Sequence, residues 1–445
     1  MKLKTTNDFH QYQVDALKRL DEITHAGLMA DMGTGKTITT LTHLALNGSK
    51  ALVIAPLRVA ETVWAEEARI WKHTKDMTFS HALGTPKQRE AALARKADVY
   101  VINVENAMWL VKEHAQFLRS IDVLVLDELS LWKSTGKRWK SLYSVRDVFK
   151  SVIGLTGTPA PNGLLDLWPQ MEMIKPGMIT RTKTQYKQHF FFPVDPNGWK
   201  WMLRPNADLK IYRKIEPYVI RVSNDQLDMP ELNVQRVAVP LPDAVTDMLT
   251  ELKHEGVVDL PTTQIVAENP AALVSKMMQI SNGAVYDDQQ RPHFVHEAKL
   301  KAIRELVEEL QGAPVLISYQ FKHDLSALKR AWPDAPVLGG ENTAARNNEI
   351  VRDWNAGKIP VLFGHPAAMG HGMNLQEGGH HVIFYGLTWN LEHYDQLIAR
   401  VYRQGQQSRH VFVHLLCASD IDNRVADALI RKANVQQELL NYLAR

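Results

Sequence analysis

The stretch G-L-M-A-D-M-G-T-G-K-T-I-T-T-L-T-H-L, residues 27–44, runs from an apolar strand-like segment through a glycine-rich turn into an apolar-patterned helix. Its centre, A-D-M-G-T-G-K-T at 30–37, matches the phosphate loop G-x-x-x-x-G-K-[ST] except that Ala30 stands at the first glycine. Gly33 and Gly35 let the backbone curl so that amide N–H groups point inward at phosphate oxygens, and the following helix N-terminus adds a favourable dipole. Lys36 is expected on the β- and γ-phosphates and Thr37 on Mg²⁺.

Short continuous apolar runs recur on either side of this loop. The first series is 27–31, 51–56, 98–103, 122–127 and 151–156; the second is 314–318, 359–363, 381–385 and 411–416. Helical stretches such as 299–310 and 391–402 separate them. Apolar strands alternating with helices specify a parallel sheet covered on both faces, so the chain is α/β with two tandem lobes. The boundaries predicted are lobe one at 1–175, a linker and helical-insertion region at 176–292 where the strand rhythm is lost, and lobe two at 293–445. The amphipathic stretch 425–443 is expected to cap lobe two.

Composition narrows the class. The chain has 445 residues, 45% of them apolar and 23% charged, which is ordinary globular usage with material for two cores. Its single cysteine, Cys417, excludes an internal disulfide and a cysteine-rich zinc site. No stretch approaches 18 consecutive apolar residues and no secretory signal opens the chain, so the sequence reads as cytoplasmic with no membrane partner.

Two further pairs carry chemistry. Asp127 and Glu128 follow the run V-L-V-L, at the carboxyl end of a buried strand, where ligands bind in open α/β sheets. Asp127 is expected to hold Mg²⁺ through water and Glu128 to orient and deprotonate an attacking water. Arg400 and Arg403, in Q-L-I-A-R-V-Y-R-Q-G-Q, are spaced i, i+3, which on a helix would place both on one face as arginine fingers for a γ-phosphate. The stripe Trp64, Ala68, Trp71 reads as a face packed on the sheet.

Taken in order, Q-Y-Q (11–13), M-G-T-G-K-T (32–37), V-I-A-P-L (53–57), D-E-L-S (127–130), L-T-G-T-P-A-P-N (155–162), V-L-I-S-Y-Q (315–320), G-H-G-M-N-L (370–375) and Q-L-I-A-R-V-Y-R-Q-G-Q (396–406) resemble the Swi/Snf-type ATPases of helicase superfamily two, over residues 9–428. The resemblance implies two RecA-like lobes with ATP and Mg²⁺ as cofactors. It places Gln13 on the adenine edge and Met32, Gly33, Thr34, Gly35, Lys36 and Thr37 around the phosphates. Thr156, Gly157, Thr158 and Asn374 would couple the cleft to the DNA path, with Arg400 and Arg403 completing the site. It also implies a motor on double-stranded DNA, targeted by protein partners, in a minimal form that looks bacterial or phage-derived.

Two positions depart from the family pattern. Ser130 stands where a histidine is usual, and Pro366 where a hydroxyl residue is common. Residues 181–221 hold nine basic residues (Arg181, Lys183, Lys187, Lys200, Arg204, Lys210, Arg213, Lys214, Arg221) against three acids, a local charge of 9 − 3 = +6 against +3 for the whole chain. Eight aromatics are interleaved, with the charges suited to phosphates and most rings suited to the core of a protrusion. A strand-separating DNA or RNA helicase on the same scaffold, and a weakly hydrolysing nucleotide-gated clamp, are the alternatives.

Overall fold

Strand β1, His25–Ala30, lies near one edge of a sheet whose other members are β2 (Ala51–Ala55), β3 (Phe79–His81), β4 (Val99–Asn103), β5 (Val123–Asp127), β6 (Ser151–Thr156) and β9 (Val219–Val222). The order is β3-β4-β2-β5-β6-β1-β9 and every pairing is parallel. A short antiparallel hairpin, β7 (Phe191–Pro193) and β8 (Trp201–Leu203), precedes β9 in the chain. The structure, a computed structural model, describes residues 3–443 apart from Met32, 196–200, 223–228, Thr262, Glu341 and 370–372, and apart from the side chains of 434–438 and 440–443.

β2 and β4 are buried along their whole length, as the apolar runs require of strands covered on both faces. Leu52, Ile54, Leu124 and Leu126 are fully buried. At about 1.5–3 kcal/mol for each such side chain, the sheet centre supplies the stability that lets a carboxylate, Asp127, end the central strand.

The second sheet is built from β10 (Glu231–Ala238), β15 (Val315–Ser318), β16 (Val337–Leu338), β17 (Val361–Gly364), β18 (His381–Phe384) and β19 (His410–Cys417), in the order β10-β19-β18-β15-β17-β16, again all parallel. Two small hairpins, β11 (Val257–Leu260) with β12 (Thr263–Val266) and β13 (Ala284–Tyr286) with β14 (Pro292–Phe294), fall between β10 and β15 in the chain. The helix Ala298–Glu309 carries a fully buried Lys299, whose ammonium pairs with Asp422 at 2.9 Å and donates to Asn282 Oδ1 at 2.8 Å.

The chain divides into two units, residues 1–226 with 432–445, and residues 227–431. The stretch 176–292 is shared between them. β9 joins the first sheet, β10 the second, and the helices Lys183–Phe190 and Ala207–Ile215 belong to the first unit while Asp243–Glu255 and Pro270–Asn282 belong to the second. β10 escapes a search for apolar runs because it is an edge strand with mostly exposed side chains.

Two expectations are corrected. The C-terminal helix spans Asp420–Leu443, but from Lys432 it groups with the first unit, whose core includes the fully buried Leu439, instead of capping the second. The helix expected over 391–402 ends at Ile398. The Arg400 and Val401 N–H groups donate three residues back, to Leu397 and Ile398, and the Arg400 carbonyl is taken by the Leu375 N–H, so the chain tightens and turns away.

Candidate functional site

The phosphate loop joins β1 to the helix Lys36–Leu46. Gly33 and Gly35 sit at φ 82° and 80°, the left-handed region where a Cβ is strained. Gly35 is the helix N-cap and no side chain caps the first N–H groups, which leaves the end of the helix suited to an anion. A Cβ on Gly35 would strike Gln13 Nε2. Gln13, 5% exposed, is pinned at both ends of its amide: Oε1 accepts from the His10 N–H at 2.9 Å, and Nε2 donates to the Thr34 carbonyl at 3.2 Å. The amide keeps a second N–H and a second lone pair beyond these two contacts. Met32 lies outside the described residues.

Lys36 folds back over the loop. Its ammonium donates to the carbonyls of Ala30 at 2.7 Å and Asp31 at 3.2 Å. Desolvation pulls the Lys36 ammonium below the usual lysine range, opposed by the negative charges of Glu128, Asp127 and Asp31. Such a cation gains most from an arriving polyanion. Thr37, next along, is partly exposed at the start of the helix.

At the end of β5, Asp127 is driven above the ordinary carboxylate range by burial, while the Trp64 indole and Lys36 act in the opposite direction. The indole contact is direct, with Trp64 Nε1 donating to Asp127 Oδ2 at 2.8 Å. Trp64 is fully buried and follows a π-helical turn, Val59–Val63. Ala68 and Trp71 are buried as the packed-face reading requires. The role of Trp64 as a donor was not in the stripe reading, although a buried Trp needs a partner for its N–H and so signals an acceptor nearby. Trp64→Phe keeps the ring and removes the donor, so we expect a loss of about 1–3 kcal/mol in stability from the missing hydrogen bond to the carboxylate, read by thermal denaturation.

Glu128 occupies φ 68°, ψ 73°, unusual for a residue with a side chain. Its carboxylate, Oε1, accepts from Ser130 Oγ at 2.8 Å and from Thr156 Oγ1 at 3.0 Å, and the Thr158 N–H donates to Thr156 Oγ1 at 3.0 Å. Thus the serine that replaces the family's histidine helps fix the candidate base, and Thr156 ties that base to the T-G-T turn after β6. Thr156 and Thr158 are buried, Thr156 against the Glu128 carboxylate.

These residues fit a nucleoside triphosphate with a divalent metal: a glycine-rich loop leading into a helix end with no side-chain cap, a desolvated ammonium, a hydroxyl at the helix start and a carboxylate at the strand end. In the second unit, Arg403 Nη1 donates to Asn374 Oδ1, bringing two sequence-selected residues together. Arg400, 7% exposed, donates through Nε to the Gln396 carbonyl at 3.1 Å and through Nη1 to the Met373 carbonyl at 3.3 Å. Both arginines lie beyond the helix end, so their pairing on one helical face does not hold. Pro366 is buried; Gly370, His371 and Gly372 of the same motif lie outside the described residues.

In the basic stretch, Tyr186, Phe190, Phe191 and Tyr212 are buried in the first unit's core, and Trp201 packs against it with Lys187 over its ring at 5.2 Å. Arg181, Arg204, Lys210, Arg213 and Lys214 are exposed. Arg221 is not: its side chain is 3% exposed and pairs with Asp31 at 2.9 Å, which removes it from the set free to meet DNA. Trp199 and Lys200 lie outside the described residues.

Two parallel sheets, the first carrying a phosphate loop and a strand-end Asp-Glu pair, define the class: an ATPase of helicase superfamily two with RecA-like lobes. Residues 10–282 match the SNF2-related domain and residues 298–405 the helicase conserved C-terminal domain, and the chain belongs to the SNF2-related family. It is a DNA-dependent ATPase. It is 36% identical over 460 residues to protein p41 of Acyrthosiphon pisum secondary endosymbiont phage 1, covering 98% of each chain. It is 22% identical over 457 residues to the uncharacterized ATP-dependent helicase MG018 of Mycoplasma genitalium, covering 98% of this chain but 42% of that one. Among solved structures, the Sulfolobus solfataricus SWI2/SNF2 ATPase core in complex with dsDNA aligns with a TM-score of 0.43 at 20% identity, covering 97% of this chain and 92% of the other. Among the described residues, no helix is long and apolar enough to cross a membrane.

Proposed function

We propose that the protein translocates along double-stranded DNA, driven by Mg²⁺-dependent ATP hydrolysis, and that it displaces or remodels what is bound there. The observation that carries this reading is the hydrogen-bonded line from Glu128 through Thr156 to Thr158, within a chain of the SNF2-related family. Helicase motors need the base that activates water to respond to the track, and a shared hydroxyl between the base and the T-G-T turn supplies such a link. Gly157 sits in that turn between the two threonines.

On this reading Lys36 leaves its two carbonyls for phosphate oxygens, and the N–H groups of the loop and helix end hold the rest of the triphosphate. Thr37 and Asp127 hold Mg²⁺, which when bound neutralises developing charge on the phosphates. Glu128, fixed by Ser130 and Thr156, orients the attacking water and takes its proton. Arg400 and Arg403 serve the transferred phosphoryl group, with Asn374 holding Arg403. Protein partners select the DNA on which the motor acts.

The exposed cations of the helix Ala207–Ile215 and its flank are assigned to the DNA backbone. Replacing Lys210, Arg213 and Lys214 by Ala is expected to weaken duplex binding about equally for all sequences, and to reduce the slope of log K against log salt by up to about 2.7, at about 0.9 per phosphate contact. Filter binding across a salt series measures this; an unchanged slope removes the helix from the interface.

A triplex-displacement assay tests translocation. ATP-dependent release of the third strand from an otherwise intact duplex is the expected result. Unwinding of a forked duplex without triplex release would instead favour the strand-separating reading.

A further inference from the structure

Arg221, near the end of β9, has a role that neither the family motifs nor the basic stretch assigns. Its guanidinium holds the entry to the phosphate loop at several points. Nη1 pairs with Asp31 Oδ1 at 2.9 Å and donates to the Met29 carbonyl at 3.1 Å and to the Val222 carbonyl at the end of its own strand. The Asp31 N–H in turn donates to the Val222 carbonyl at 3.3 Å. Lys36 lies on the same segment, through the carbonyls of Ala30 and Asp31. One cation therefore grips residues 29–31 from the edge strand while the catalytic cation grips them from the helix.

Among the described residues β9 is the outermost strand of its sheet, paired with β1 alone. The first unit's continuous part ends at residue 226, five residues after Arg221. The strand that leads out of the first unit is thus the one that fixes the loop. We infer that Arg221 is a positioning residue for nucleotide binding, holding Asp31 so that the loop keeps its shape when Lys36 exchanges its carbonyl acceptors for phosphate oxygens. This rests on the reading of residues 30–37 as a nucleotide phosphate loop.

A carbonyl released by Lys36 is left without its cation at the moment the triphosphate arrives. Without Arg221, Asp31 would lose this ion pair beside the incoming polyanion, and the segment 29–31 would lose its side-chain anchor to β9 while keeping its strand pairing. The cost should therefore fall on nucleotide affinity and only weakly on the rate once nucleotide is bound.

The test uses the full chain as wild type, Arg221→Met, Arg221→Lys, Asp31→Asn and the double variant Arg221→Met with Asp31→Asn. Equilibrium binding of a fluorescent ADP analogue is measured without DNA, and kcat and KM for ATP with duplex DNA, all below the lowest melting temperature in the set. Arg221→Met is expected to raise Kd and KM about tenfold, in the range of outer-partner effects, while kcat changes less than threefold. Arg221→Lys should recover part of the affinity. Asp31→Asn should lower affinity less than Arg221→Met, and the double variant should be no worse than Arg221→Met, because both changes remove one interaction.

Should Arg221→Met prove unfolded, Asp31→Asn, on a side chain 22% exposed, carries the same question with little change of shape. A folded variant with a lowered melting temperature but Kd and KM within twofold of wild type would make the pair merely structural and overturn the inference. Wild type that binds no nucleotide would overturn the phosphate-loop reading and this inference with it. Wild-type binding with an unaffected Arg221→Met variant removes the inference alone.

Discussion

Lys36→Ala is expected to lower ATP turnover by at least about 10²–10³-fold, the cost of removing one preorganised charge from a phosphoryl-transfer site, while the fold stays intact. The fold should tolerate the change because, among the described residues, the Lys36 ammonium makes two hydrogen bonds, both to carbonyls of the segment where β1 enters the loop. The substitution also relieves a desolvated cation, so thermal stability should be equal to or slightly above that of wild type. Steady-state hydrolysis and a melting curve check both parts. Appreciable turnover in this variant would remove Lys36 from the phosphates.

Glu128→Gln should be nearly as severe for a different reason. The amide preserves the side-chain shape and can still accept from Ser130 and Thr156, so the loop and its positive-φ backbone are expected to survive. What is lost is the base. Proton transfer by a positioned group is worth roughly 10²–10⁴-fold, and turnover should fall by that amount with nucleotide affinity nearly unchanged. Binding of a fluorescent nucleotide alongside hydrolysis separates the two. Loss of affinity equal to the loss of rate would mean that Glu128 binds nucleotide and does not activate water.

These two variants differ in what they leave behind. Lys36→Ala should weaken binding of ATP and of ADP, because the ammonium serves phosphates in every state. Glu128→Gln should trap a bound, unhydrolysed nucleotide, and so hold DNA more tightly in ATP than in its absence.

Much of the first sheet was legible because its inner strands are continuous apolar runs. V-L-V-L-D announces both a buried strand and an acid at its end. β9 and β10 were hidden for the opposite reason. They are edge strands, short or half-polar, and a linker-like composition of Pro, Asn and charges surrounds them.

Charges were the least legible feature. Arg221 and Arg213 look alike in a count of basic residues, yet one is buried against Asp31 and the other is exposed. The flanking V-I-R-V, apolar on both sides, was the available sign that Arg221 lies in a sheet. Arg400 and Arg403 failed as a helical pair because the end of that helix is set by Leu375, more than twenty residues earlier in the chain, whose N–H takes the Arg400 carbonyl. No local pattern contains such a contact. Ser130 illustrates the reverse case: it departs from the family motif, yet its hydroxyl is one of two that hold Glu128.

The most direct test of duplex-driven motor activity is steady-state ATP hydrolysis measured in parallel without nucleic acid and with single-stranded DNA, double-stranded DNA and RNA, with Lys36→Ala as the blank. A duplex-driven motor predicts low turnover alone and the strongest stimulation by duplex DNA. Preference for single strands or RNA, or no stimulation by any of them, would contradict it.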